Sequence, residues 1–266
     1  MTNEKPATLA RLVIRVGTGS LSFATTQQER VVYENYPLNN GISLAANLRE
    51  ALQNSELLGS DYQRVLVMID SPVLMTPTVL FQEDQAEELY RHAITPKEQT
   101  VVKYSVLPDL NSVAVFAVNK DMTVVLSDHY KDLRYTPVTA PVWRHLHQRS
   151  FTGMHGKLYG YFHDHKLEVF SFAENRFKFS NQFMVNNAAD ALYYMLSAWK
   201  DLGLVPERDE LYLAGELPDG EQLTEEARKF VKRVFVINPS GEFNRAAVTQ
   251  IEGIPYDLVT LFIKGR

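Results

Sequence analysis

The sequence predicts an α/β protein made of two halves of one design, with a small α+β insert in the first half. Three observations predict it. Segments with two-residue alternation come in groups of three, joined by short polar turns. Each group is followed by one helix pattern and one short apolar strand. The second set repeats the first at a nearly constant offset: Arg11 to Lys157 and Arg64 to Glu210 are 146 residues apart, and Ser43 to Asn187 is 144. Identity between the halves is poor, yet constant spacing over several elements marks an internal repeat.

The first group opens with LVIRVGTGSLSFAT, residues 12–25. Leu12, Ile14 and Val16 alternate with Val13 and Arg15, a turn follows at Gly17-Thr18-Gly19, and Leu21 and Phe23 continue the pattern. TQQER turns the chain into VVYENYPL. Ser43 is placed to cap a helix, SLAANLREALQNSELL, with Leu44, Leu48, Leu52 and Leu57 on its apolar side and Gly59 as its stop. RVLVMID is nearly all apolar, as a central strand covered on both faces requires.

The second group is KLYGYF, LEVFSF and RFKFSNQF, with turns at His163-Asp164 and Glu174-Asn175. In NAADALYYMLSAWKDLGL, the residues Ala188, Ala191, Leu192, Met195, Ala198 and Trp199 share a helical face, and Gly203 is the stop. DELYLAG is the strand that follows. Between the groups, EDQAEELYRHAI reads as a short amphipathic helix, and TVVKYSVLP and SVAVFAVNK read as strands. DMTVVLSDHY reads either as the start of a strand or as a helix. TPVTAPVWRHLHQR gives a strand-like start and a helix after Pro141. EEARKFVKRVFVINPSGEF is a helix running into a strand, and YDLVTLFIKG is a last apolar stretch. The expected division is 1–150, with an insert at about 72–135, and 151–266.

Composition removes several function classes. Lys+Arg of 27 against Asp+Glu of 32 gives a net charge of −5, without the basic excess of a general nucleic-acid binder. Cysteine is absent, which removes disulfides, thiolate metal sites and cysteine nucleophiles and fits a reducing compartment. No apolar run approaches the ~20 residues that span a bilayer, and MTNEKPATLARL has no apolar core of signal-peptide length. The expectation is a cytoplasmic protein that inserts into no membrane and binds no nucleic acid. Nothing in the sequence fixes its oligomeric state.

The remaining constellations read as structural. His145 and His147 are two apart on a helix and face different ways. His163 and His165 flank Asp164 in an expected turn, so no metal site is assigned. G-x-S-x-G does not occur, and the GTGS turn lacks the lysine of a Walker loop. Asp70 ends a core strand and reads as a turn cap before Ser71-Pro72. Tyr159, Tyr161, Phe162, Phe170, Phe172, Phe177 and Phe179 could form a base-stacking platform, but cross-strand packing explains them more simply.

A unit of β-meander, helix and strand that occurs twice resembles the duplicated ribonuclease-H-like core of the actin-like ATPase superfamily. Its degenerate branches are most similar: the type IV pilus assembly M protein and the cytoplasmic part of the type II secretion L protein, which carry an inserted subdomain after the first core strand. RVLVMIDSPVLMTPTVLFQEDQAEELYRHAI with SVAVFAVNKDMTVVLSDHY is similar to that insert. Over most of its length the chain also resembles an uncharacterised Bacteroidetes family, the domain of unknown function 3822.

The resemblance implies a phosphate-binding hairpin with an aspartate, a second such hairpin and a glycine-rich adenosine motif. Arg15-Val16-Gly17-Thr18-Gly19-Ser20 keeps the glycine and the hydroxyls and replaces the aspartate that would help hold magnesium. Arginine is a permanent cation with donors only. The second hairpin strand, Lys157-Leu158-Tyr159-Gly160, lacks its acid. Leu213-Ala214-Gly215-Glu216 keeps one glycine of the adenosine motif. The candidate cofactor-binding residues are therefore Arg15, Gly17, Thr18, Gly19, Ser20 and Gly215. No catalytic residue, metal or cofactor is expected, ATP with magnesium being the one the resemblance offers. The resulting expectation is a non-catalytic cytoplasmic scaffold or adaptor that binds a protein partner. The alternatives are a nucleotide-binding switch in which Arg15 contacts phosphate, and a nucleic-acid-associated protein that uses the aromatic meander.

Overall fold

The computed structural model describes residues 11–59, 62–95, 99–174 and 176–264. The N-terminal segment up to Ala10 and Asn175 of the expected turn lie outside them. Two compact units make up the chain: Met1–Thr76, Leu80–Ser105 and Ala114–Val138 form the first, and Pro77–Val79, Val106–Val113 and Thr139–Arg266 the second.

In the first unit, β1 (Arg11–Val16), β2 (Ser20–Gln27) and β3 (Arg30–Pro37) form the expected antiparallel meander. Gln28 and Glu29 join β2 to β3 at φ of 47° and 65°, the left-handed pair that matches the twist of a two-residue hairpin. α1 (Leu44–Asn54) begins where Ser43 accepts from the Ala46 N–H at 3.2 Å. It ends five residues before Gly59, so Gly59 is not its stop. The Ser55 hydroxyl donates to Glu34 at 2.7 Å and accepts from the Leu58 N–H at 3.2 Å, which offers the backbone a turn instead of another helical residue. β4 (Arg64–Ile69) returns parallel to β1.

β5 (Val73–Pro77), α2 (Ala86–Ala93), β6 (Thr100–Leu107) and β7 (Ser112–Asn119) follow, and the three strands make a small sheet in the order β5-β7-β6. The sequence pattern predicts no strand at β5, where Pro72 and Pro77 bracket a run of only four residues. α3 (Lys120–His129) settles DMTVVLSDHY as a helix, with Asn119 as N-cap accepting from Met122 N–H at 2.8 Å. β8 (Asp132–Pro137) pairs parallel with β4 and completes a main sheet ordered β3-β2-β1-β4-β8. An insert reaching about 135 would have left β8 outside that sheet. Leu12, Ile14, Phe23, Leu48, Val67, Phe116 and Leu126 form one apolar core. Each such side chain contributes about 1.5–3 kcal/mol on burial.

In the second unit, α4 (Ala140–Ser150) starts with proline in its first turn, where the missing N–H costs nothing. β9 (Lys157–His163), β10 (Lys166–Ala173) and β11 (Arg176–Met184) form the second meander, with the turn at Asp164 and His165, φ 47° and 59°. His163 is thus the last residue of a strand and buried, not part of the turn. α5 (Ala188–Asp201) buries Ala188, Ala191, Met195, Ala198 and Trp199, the expected face, and Gly203 follows at φ +65°.

β12 (Glu210–Gly215), α6 (Gly220–Arg228), β13 (Arg233–Val236), the single turn α7 (Pro239–Glu242) and α8 (Tyr256–Lys264) complete the unit. The sheet runs β11-β10-β9-β12-β13, the same pattern as the first: a meander, then two strands parallel to its first member. This common order is the duplication. One face packs Leu158, Leu167, Leu211 and Leu213 against α5 and α6. No helix among the described residues is long and apolar enough to cross a membrane.

Candidate functional site

The first candidate is the hairpin between β1 and β2. Gly17 N–H donates to the Ser20 carbonyl at 2.9 Å, and Leu38 N–H donates to the Gly19 carbonyl at 3.0 Å, so the turn is held from inside and from the end of β3. Arg15 lies on β1 between Ser22 and Met68 in register and is 3% exposed. Asp70 follows β4; its N–H donates to the Val16 carbonyl at 3.0 Å, and its carboxylate accepts from Thr18 Oγ1 at 3.0 Å. The acid read as a turn cap thus makes a contact with the hairpin, a role the sequence signalled only by placing an acid at a strand end. A carboxylate on this turn opposes a bare phosphate, since like charges a few ångströms apart repel.

The second candidate is the end of β12. Gly215 has φ +86°, and a Cβ there would lie 2.0 Å from the Phe162 carbonyl oxygen. The backbone alone therefore requires glycine. Beside it opens a cavity of ≈ 650 Å³ lined by Gly215, Leu217, Glu221, Glu225, Arg228 and Val236. Apart from Gly215, the sequence reading singled out none of these, although EQLTEEAR places Glu221 and Glu225 one helical turn apart. Arg15, Gly17, Thr18, Gly19 and Ser20 thus share one hairpin of the first unit, and Gly215 belongs to the second. On β9 no position carries a carboxylate. Lys157, at its start, is buried and donates to the Thr152 carbonyl.

The opposite face of the second sheet is aromatic and charged. Tyr159 stacks on Phe170 and Tyr212 at 5.3 and 5.5 Å. Tyr159, Tyr161, Phe162 and Phe170 are at most 2% exposed, so their rings offer no face to a base. His145 Nε2 lies 2.9 Å from Glu242 Oε1, and Arg149 donates to the other carboxylate oxygen. His147 instead sits between Phe151 and Phe172; the two histidines face different ways, as i and i+2 on a helix must. Burial alone would raise the Glu242 pKa, but the hydrogen bond and charge of Arg149, with His145, hold it below the ordinary value. Burial pushes the Tyr159 and Tyr256 phenols up.

Residues 2–234 match the family described as "Protein of unknown function (DUF3822)". A comparison with curated proteins finds no match. Among solved structures, a Bacteroides thetaiotaomicron VPI-5482 protein, described as having an actin-like ATPase fold and unknown function, is 30% identical. It aligns over 95% of this chain and 100% of its own, with a TM-score of 0.81. The PilM-PilN type IV pilus biogenesis complex aligns over 95% of this chain and 97% of that one at 12% identity, with a TM-score of 0.55. The chain therefore has an actin-like ATPase fold, with its two five-stranded sheets in the same order, and it belongs to the DUF3822 family.

Proposed function

We propose that the chain is a non-catalytic cytoplasmic scaffold that binds a protein partner. The observation that carries this reading is Arg15. The superfamily's first hairpin wants a metal-holding carboxylate at this place, and this chain has a cation that is 3% exposed. A guanidinium cannot ligate magnesium, and β9 supplies no carboxylate in exchange. Two-metal or metal-water chemistry has no acid on either first strand to work from. A protein of this fold in a complex with a partner has a precedent in the PilM-PilN structure, an analogy of fold only.

The second reading is a nucleotide-binding switch without hydrolysis. The cavity against Gly215 favours it, because backbone at a glycine turn can approach a ligand closely. One experiment separates the two: a melting curve with ATP and magnesium, together with phosphate release. A ligand at ~100 times its dissociation constant stabilises a fold by about 2.7 kcal/mol. The scaffold reading expects no shift in melting temperature and no phosphate release. A shift without release moves the switch ahead. Release that disappears on Thr18→Ala overturns the scaffold reading.

A further inference from the structure

β13 ends the second sheet and, among the described residues, pairs on one side only, with β12. Ile237 N–H donates to the Leu213 carbonyl at 2.8 Å. Alternation along the strand then turns Phe235 the same way and points the backbone groups of Val234 and Val236 outward. Natural sheets usually blunt such an edge. This one instead carries Phe235 at 43% and Val236 at 49% exposure. Phe235 lies on the aromatic face, stacked on Tyr212 at 5.0 Å. Val236 lies on the other face and forms one wall of the ≈ 650 Å³ cavity.

The free edge and the cavity are therefore continuous. A strand added to β13 would run about 4.8 Å from it. One of its side chains would stand beside Phe235, and its neighbours would point to the α6 face, next to the cavity. There, Glu221 and Glu225 project from successive turns of α6, and the remaining charge is Arg228. None of the three has an ion-pair partner among the described residues. Two carboxylates against one guanidinium leave a net negative wall, and Leu217 and Val236 supply apolar surface for the stem of a long side chain. Lysine and arginine fit such a site, with an apolar stem and a charged head.

We propose that the outer edge of β13 and the adjoining cavity receive an extended segment of a protein partner, with a basic residue over Glu221 and Glu225 and an apolar residue beside Phe235. This deepens the scaffold reading and rests on it. Main-chain pairing supplies affinity and alternate side chains supply selectivity, as in other strand-addition complexes.

The test uses the full chain and two synthetic peptides: acetyl-Thr-Val-Lys-Val-Thr-amide and the same peptide with glutamate for lysine. Amide chemical shifts are followed by NMR. The expected result is saturable shifts at Val234 and Val236 with the lysine peptide, and binding at least about tenfold weaker with the glutamate peptide, a difference of about 1.4 kcal/mol. The exposed double substitution Glu221→Gln with Glu225→Gln should weaken the lysine peptide at least about fivefold and leave the melting temperature unchanged. Equal binding of both peptides, shifts confined to other elements, or no shift at millimolar peptide would overturn the proposal. The ATP experiment keeps the two readings apart. A silent peptide with no phosphate release removes the edge site and leaves the scaffold reading standing. Phosphate release removes the scaffold reading whatever the peptide does.

Discussion

The Thr18 hydroxyl donates to the Asp70 carboxylate at 3.0 Å across 52 residues of sequence. This contact fastens the β1–β2 hairpin, the segment that the resemblance offered as a phosphate cradle, to the end of β4. The acid is present, but it serves a hydroxyl of the loop. Thr18→Val removes the donor and keeps the shape. The bond is exposed, so the expected loss is about 1 kcal/mol, read from the denaturant midpoint with an unchanged slope. A loss above about 3 kcal/mol would show that Asp70 organises more of the first unit than this contact.

A second prediction concerns Asn47, a polar residue only 2% exposed in α1. Its side chain accepts from the Asn39 N–H at 2.8 Å and donates to the carbonyls of Asn39, Ile42 and Ser43. The loop that carries the chain from β3 to α1 is thus closed by one amide. Asn47→Ala leaves those groups without their partner and should cost about 2–3 kcal/mol. Asn47→Asp keeps the acceptor but loses the donors, and should recover little of that loss. Full recovery by aspartate would mean that the Asn39 N–H contact alone matters.

The pH dependence follows from Glu242. Its carboxyl titrates below the ordinary 4.5 because Arg149 and His145 outweigh the effect of burial. A depressed carboxylate stabilises the fold above its unfolded pKa, and this contribution is lost as pH falls from about 4.5 through the lowered folded value. Asp209 adds in the same direction. Burial opposes its ionisation, but Arg208 and the N–H groups of Val205 and Gly156 hold its pKa down. Glu242→Gln should cost about 2 kcal/mol at neutral pH and flatten the acid limb of stability against pH. An acid limb of unchanged slope in the variant would assign the loss to other carboxylates.

The repeat, the meanders and the helical face of α5 were legible because period and turn chemistry are local properties of the chain. The end of α1 was not. Gly59 is the stronger stop signal in sequence, but Ser55 ends the helix four residues sooner through a contact with Glu34 on β3. β5 was not legible because its partner is β7, about 40 residues on, and a four-residue run between prolines carries little periodicity. The turn at Gly17, Thr18 and Gly19 was legible from its glycines, and it lies between β1 and β2. The cavity is not legible because Val236, Leu217 and α6 line it together, an arrangement of separate elements that no motif encodes.

Gly160 and Gly215, both in the second unit, should respond very differently to the same added methyl group. Gly160 lies on β9, where a Cβ would meet Met195 Sδ at 3.0 Å and Leu167 Cδ1 at 3.3 Å. Both are ends of flexible side chains that give by a few tenths of an ångström. Alanine also lowers the entropy of the unfolded chain by about 0.4–1 kcal/mol, so Gly160→Ala should stay within about 1 kcal/mol of the parent. Gly215 offers no such relief. Its φ of +86° disfavours any side chain, and the atom 2.0 Å away is the backbone oxygen of Phe162, held by the Glu216 N–H at 3.0 Å. Gly215→Ala must move β12 against β9 and should cost about 3 kcal/mol. Both are read by chemical denaturation. Should Gly215→Ala prove as mild as Gly160→Ala, the turn can relax, and its glycine would have to be explained by a ligand in the cavity instead of by the backbone.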